Sequence, residues 1–333
     1  MSLSQLGIHF IVGLSGTELT SDEREALSNL KPAGIILFGK NIDKDCGLLW
    51  KDRLRSLIDS AKNATGNDKL LVSIDHEGGR VHRFPEGITH FPPAVQWEDR
   101  TEDVARTMAR ELSELGFNLS YAPVLDVFSE PKNSVIGDRA FGTTPAIVIK
   151  RAREFFRGFA AEGMIGCAKH FPGHGATVAD SHFELPHLDA SEDILNSREL
   201  VPYRVLLKED IIPTIMTAHV NYPALDQDNP ATLSWPIVTG LLRHELGFNG
   251  VVVSDDLEMH ALKYLTPEER GIAALLAGCD ILLEANSKEL SSAIVALSMA
   301  EAIDRALTTV KLDEQALHSS KKKISKLVGM AKF

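Results

Sequence analysis

Cysteine is scarce: Cys46, Cys167 and Cys279 are the three in 333 residues. They are odd in number and lack CxxC spacing, which excludes a disulfide scaffold and a zinc-ribbon module. Positive charge is in deficit, with 35 Lys plus Arg against 46 Asp plus Glu and a net charge of -11. No long basic run offers the footprint that nucleic acid needs. Long apolar stretches are missing too, the run from Ile8 to Leu14 being far short of a membrane span. The opening MSLSQLGIHFIVGLSG has neither the basic region nor the cleavage motif of a secretory leader; a reduced, cytoplasmic setting is expected. The GxGxxG and GxxxxGK[ST] patterns are absent, so a nucleotide has no anchor, and no cofactor is expected. No Pro/Ser linker or low-complexity tract divides the chain. One domain is therefore expected over residues 1–333, with 311–333 as a peripheral helix whose Lys321-Lys322-Lys323 run is a solvated face.

The composition that remains, 44% hydrophobic and 24% charged, is that of an ordinary folded protein. Eight short apolar runs punctuate it, at residues 8–14, 34–38, 70–75, 119–127, 164–170, 211–220, 250–255 and 279–285. Most are apolar throughout, as strands buried on both faces of a parallel sheet are. Helical patterns lie between them. In TEDVARTMARELSELG, Thr101 is placed to cap, acids occupy the first turn, and Gly116 stands at the end. Residues 145–163, 191–209 and 267–278 carry similar patterns. Alternating strands and helices predict βαβ units. Eight such units close naturally into a (β/α)₈ TIM-type barrel, the expected fold, although a doubly wound open sheet shares the local pattern.

A barrel carries its site at the C-terminal ends of the strands, and there the runs end in ionisable groups: Asp75, Asp126, Lys169 with His170, His219, Asp255 and Glu284. The segment KHFPGHGATVADSH, residues 169–182, is rich in titratable groups, and its Gly and Pro forbid regular structure. It predicts a loop over the barrel mouth. Within it Asp180 can accept from one imidazole nitrogen of His182 and leave the other facing a reactant. His170, His174, His182 and His187 raise a metal-hydrolase alternative, but their separations of four, eight and five are not those of metal-binding pairs. In DHEGGRVHRF, two glycines let the chain turn and return Arg80 and Arg83 toward the mouth.

Taken in order, IDHEGGRVHRF, YAPVLDV, IGDRAFG, KHFPGHG, ADSH and VVVSDDLEM resemble the β-N-acetylglucosaminidases of glycoside hydrolase family 3. The similarity runs from GIILFGKNI to AGCDILL. KHFPGHG followed by DSH is its most specific part. The resemblance implies a barrel enzyme that removes terminal β-linked N-acetylglucosamine, with retention, from glycans such as cell-wall muropeptides. It assigns Asp255 as nucleophile, His182 as acid/base and Asp180 as its partner. Asp75, Arg83, Arg139, Lys169 and His170 are its sugar-binding positions. His76 and His82 stand where the family more often has Gln. The expected partner is a carbohydrate, with no nucleic acid and no membrane, and the chain is expected to act as a monomer. Phosphorolysis by the same residues and a family 3 β-glucosidase activity are the alternatives, together with a sugar-binding barrel that has lost its chemistry. Asp255 is favoured over Asp256, which is placed to cap the following turn.

Overall fold

Strand and helix alternate through the whole chain. The computed structural model describes residues 2–177, 185–285, 291–309 and 313–333. Eight parallel strands form the sheet: β1 (Phe10–Gly13), β2 (Gly34–Leu37), β3 (Leu71–Ile74), β4 (Leu119–Ser120), β5 (Ile165–Phe171), β6 (Thr214–Thr217), β9 (Val251–Val253) and β10 (Leu282–Glu284). Their order is β10-β1-β2-β3-β4-β5-β6-β9, and a parallel bridge between Val253 and Ile281 brings the last edge against the first. The barrel is thereby closed, as the alternation of elements predicts. A small antiparallel pair, β7 (Asn221–Tyr222) with β8 (Asp226–Pro230), follows β6 and was not foreshadowed by the apolar pattern.

Helices follow the strands as α2 (Ser21–Leu30), α3 (Trp50–Thr65), α4 (Thr101–Glu114), α5 (Pro145–Glu162), α7 (Val201–Lys208), a wide helix over Pro236–Glu245, α8 (Pro267–Ala277) and α9 (Ser292–Thr309); α1 (Leu3–Leu6) and α6 (Glu192–Ile194) are short. Several ends are set by local chemistry. Thr20 caps α2 by accepting from the Glu23 N–H at 3.1 Å, while the Glu23 carboxylate returns to the Thr20 N–H at 3.0 Å. Gly163 and Gly278, at φ 72° and 114°, end α5 and α8 in the left-handed conformation that glycine adopts at little cost. Thr101 differs from expectation, because a tight turn over Glu98–Arg100 occupies the cap position. Its hydroxyl instead donates to Glu98 O at 2.8 Å. The pattern over 191–209 breaks into α6, a wide turn over Leu195–Glu199 and α7, which carries Pro202 in its first turn.

Alternation along the strands sorts their side chains into two cores. Ile36, Leu71, Tyr121, Cys167, Met216 and Leu283 belong to a cluster inside the barrel. Val12, Ile35, Val72, Ile74, Ala168 and Val252 join the larger cluster beneath the helices. The C-terminal helix α10 (Glu314–Val328) sends Ile324 and Leu327 into the inner cluster. Its Lys323 bonds Asp280 at 3.0 Å rather than facing only solvent.

Candidate active site

The same two-residue period places the polar groups. Two residues beyond the inward Ser73, Cys167 and Val253 come Asp75, Lys169 and Asp255, one from each of three alternate barrel strands, as a layer of a (β/α)₈ barrel requires. They line one cavity of about 350 Å³ with Arg83, Arg139, His170 and His174, floored by Ile36, Met216 and Leu283. After Asp75 the chain turns back sharply. Gly78 and Gly79 have φ of 84° and 54°, and the Glu77 N–H donates to Val81 O at 3.0 Å. A Cβ on Gly78 would lie 2.9 Å from Pro92 O, so the turn needs glycine for space as well as for conformation. Arg83 returns to the cavity with its guanidinium 5.9 Å from the Phe38 ring and 3.9 Å from Asp75. Arg80 does not. It points outward to Val135 O at 2.5 Å and to Asp138, correcting the expectation that both arginines face the mouth.

Along the cavity wall two cations meet two carboxylates. Lys169 Nζ lies 2.8 Å from Asp75 Oδ1 and 2.5 Å from Glu77 Oε1. Arg139 grips Glu77 with two bonds, Nε to Oε2 at 2.7 Å and Nη2 to Oε1 at 2.9 Å. Burial pushes the Glu77 carboxyl up, but Arg139 and Lys169 more than reverse this and hold it far below the usual range. Burial likewise opposes the Lys169 ammonium, and Asp75 and Glu77 raise its pKa all the same. Glu77, Lys169 and Arg139 therefore stay ionised, and each presents fixed donors or acceptors to whatever enters.

Asp126 supports the other wall. Its Oδ2 accepts from His170 Nδ1 at 2.7 Å, and its Oδ1 accepts from the His174 N–H at 2.6 Å and the His170 N–H at 3.3 Å. The His170 ring is thus oriented from behind, with its second nitrogen left for the cavity. On the third wall Asp255 Oδ1 accepts from the Asp256 N–H at 2.8 Å. Burial raises the Asp255 carboxyl, yet His219, His170 and that N–H, with Lys169, hold it below its ordinary value. Asp256, which also lines the cavity, is engaged by the turn: its Oδ1 accepts from the Glu258 N–H at 3.1 Å and the Ala285 N–H at 3.0 Å. His219 donates to or accepts from Thr232 Oγ1 at 2.8 Å, and its Nε2 reaches Asp256 O at 2.9 Å. It buttresses the strand end from below.

Of the expected site residues, Asp75, Arg83, Arg139, Lys169, His170 and Asp255 come together in this cavity. Asp180 and His182 lie outside the described residues. His187 is exposed whereas His170 and His174 are buried, and among the described residues no three His, Cys, Asp or Glu side chains are grouped so as to hold a metal ion. Glu284 departs from its expected place at the mouth. It faces outward from the barrel, fully buried, with neither carboxylate oxygen hydrogen-bonded. Burial, with Asp256 and Glu258 nearby, pushes its pKa well above the usual range. Glu77, Asp126 and His219 are the functional supports that sequence reasoning left unassigned. Glu77 stood inside the quoted DHEGG motif, and the other two ended apolar runs, but their partners lie 13 or more residues away.

No helix among the described residues is long and apolar enough to cross a membrane. The Glycosyl hydrolase family 3 N terminal domain matches residues 3–327. A protein of Alkalilimnicola ehrlichii named Beta-hexosaminidase is 41% identical over 297 residues, covering 86% of this chain and 82% of that one. A Beta-hexosaminidase of Vibrio cholerae is 39% identical over 284 residues, covering 83% and 82%. The solved structure of a glycoside hydrolase family 3 beta-N-acetylglucosaminidase from a Paenibacillus species superposes with a TM-score of 0.90 at 33% identity; it covers 99% of this chain, which spans 62% of that longer one. A Beta-N-acetylhexosaminidase from Beutenbergia cavernae, 27% identical, superposes with a TM-score of 0.87 over 99% of both chains. The chain belongs to glycosyl hydrolase family 3 and is a glycoside hydrolase.

Proposed function

We propose that the protein is a retaining β-N-acetylhexosaminidase that removes terminal β-linked N-acetylglucosamine from glycans such as cell-wall muropeptides, as a cytoplasmic monomer. The observation that carries this reading is the cavity itself: an ionised carboxylate, Asp255, shares it with Asp75, Lys169, Arg139, Arg83 and His170. Paired, fixed charges are suited to gripping neutral hydroxyls from several sides. The relatives named for hexosaminidase activity support the choice of sugar. Phe38, Val135 and Met259 add apolar surface on which an acetamide methyl can rest.

In this mechanism a carboxylate oxygen of Asp255 attacks the anomeric carbon while the glycosidic C–O bond breaks. His182, as imidazolium oriented by Asp180, gives its proton to the leaving oxygen. The neutral imidazole then takes a proton from water, which displaces Asp255 and restores the β configuration. The test compares kcat/KM for N-acetylglucosaminide and glucoside with the same aryl leaving group, with and without phosphate. A strong preference for the N-acetyl sugar and no effect of phosphate are expected. Equal values would refute the specificity, and phosphate-dependent turnover would replace hydrolysis by phosphorolysis.

A further inference from the structure

The seam that closes the barrel joins β9 to β10 through the Val253–Ile281 bridge, and beyond that bridge the ladder changes character. Up to it the bonds are those of a parallel pair: the Ile281 N–H donates to Val252 O at 3.0 Å, and the Ser254 N–H to Ile281 O at 2.9 Å. Continued in register, the Leu283 N–H would reach Ser254 O, the Asp256 N–H would reach Leu283 O, and the Ala285 N–H would reach Asp256 O. Side chains take over instead. The Leu283 N–H donates to Ser254 Oγ at 2.9 Å, and the Ala285 N–H to Asp256 Oδ1 at 3.0 Å. Leu283 O receives the Leu257 N–H, one residue late, at 2.9 Å.

Asp255 sits between the two substituted positions. Because Leu257 occupies Leu283 O, the Asp256 N–H turns to Asp255 Oδ1 at 2.8 Å, a bond that a regular ladder would forbid. Such a one-residue slip is the kind of irregularity that re-aims a side chain beside a site. Ser254, Asp256, Leu257, Leu283 and Ala285 are all buried, so an N–H stranded along this seam would be costly. The carbonyl of Asp256 is committed as well, accepting from His219 Nε2 at 2.9 Å and from the Met259 N–H at 3.0 Å. Asp256 is thus held from β6, from its own turn and from β10, with its N–H aimed at the neighbouring carboxylate.

We propose that Ser254 and Asp256 are positioning residues for the nucleophile. Their side chains stand in for the backbone acceptors of the β9–β10 ladder, the pairing slips by one residue, and the Asp256 N–H fixes Asp255 Oδ1 so that Oδ2 faces the anomeric carbon. The inference rests on the assignment of Asp255 as nucleophile made above. It gives both neighbours of that residue in the SDD sequence a part in the rate without contact with the reacting atoms.

The experiment measures kcat/KM for an aryl β-N-acetylglucosaminide and the inhibition constant of N-acetylglucosamine in Asp256→Ala, Asp256→Asn and Ser254→Ala, with Asp255→Ala beside them. Asp256 also lines the cavity, so the inhibition constant separates a lost sugar contact from a misplaced nucleophile. In Asp256→Ala, kcat/KM should fall about hundredfold, the scale of a misplacement of about 1 Å. The inhibition constant should stay within about threefold. Asp256→Asn keeps an acceptor at Oδ1 for the Ala285 and Glu258 N–H groups and should recover about tenfold of that loss. An Asp256→Ala enzyme as active as wild type, a loss carried by the inhibition constant, or an Asp256→Asn enzyme as slow as Asp256→Ala overturns the proposal. Should Asp256→Ala not fold, Ser254→Ala decides, since it strands the Leu283 N–H alone: a fall of about tenfold in kcat/KM is expected, and an unchanged rate overturns the proposal. An active Asp255→Ala refutes the nucleophile assignment and the positioning with it, whereas an inactive Asp255→Ala beside an unimpaired Asp256→Ala refutes the positioning alone.

Discussion

The two ends of the barrel are built on opposite principles. At the N-terminal end Leu71, Leu119, Ile165 and Val251 meet Ile324 and Leu327 of α10, and the barrel is sealed by apolar packing. At the C-terminal end the same strands deliver Asp75, Lys169 and Asp255, and Glu77 and Arg139 line the cavity beside them. Apolar packing is tolerant of a lost contact and indifferent to direction. A buried charge is neither, because it persists only while its partner is in place. The sealed end should therefore respond to mutation in stability alone, and the open end in stability and chemistry together.

The largest effect should come from Asp255→Ala. If the open end is dedicated to chemistry, turnover should fall on the order of 10⁴-fold or more. The lost carboxylate accepts one backbone N–H, so the melting temperature should stay within about 4 °C. Kinetics and a thermal melt on the same preparation check both. A variant that retains activity, or that unfolds, would remove the distinction between the two ends.

Glu77→Gln should show the coupling of stability and chemistry most clearly. It leaves Lys169 and Arg139 facing each other without their shared carboxylate, and breaking such a buried pair costs about 3–5 kcal/mol. Urea unfolding should show that loss, and KM for the sugar should rise because both cations move. At the sealed end, Ile324→Ala should cost about 2–5 kcal/mol as a cavity opens, with kcat and KM unchanged. A change in KM there would mean that α10 communicates with the site.

The smallest effect concerns pH. Burial, with His82 and Arg83 beside it, lowers the His76 pKa to about 3, against about 6.5 when unfolded. Between those values the unfolded chain binds a proton that the native one refuses, so stability falls as pH drops through the window. From pH 6.5 to 5.5 the contribution is up to about 1.4 kcal/mol. In His76→Gln the urea midpoint should fall correspondingly less over that interval. His174, lowered in the same sense, keeps its share of the acid loss in that variant.

How much of this the sequence disclosed differs between the two ends as well. The apolar runs located every barrel strand, because strands buried on both faces are continuous in composition. The run over 119–127 nevertheless yields a regular strand of two residues. Pro123 has no N–H to give the ladder, although the neighbouring Cys167 N–H still bonds Ala122 O and Leu125 N–H bonds Lys169 O. The sealing role of α10 was hidden, since a helix with three consecutive lysines reads as solvated until its partner surface is known. At the open end the cavity residues were legible from their position after strand ends and from the family motifs. Their supports were not: Glu77 meets Arg139 across 62 residues and Asp126 meets His170 across 44, and no local pattern encodes such pairs. Glu284 misled because a strand end has two faces, and composition does not say which one enters the barrel.

The most direct test of the account is covalent trapping. Incubation with an aryl 2-acetamido-2-deoxy-5-fluoro-β-glucoside should slow hydrolysis of the glycosyl-enzyme enough for digestion and mass spectrometry. A single label, on Asp255, is expected, and it should disappear as activity returns. A label on Asp256, or an active enzyme that is never labelled, would contradict it.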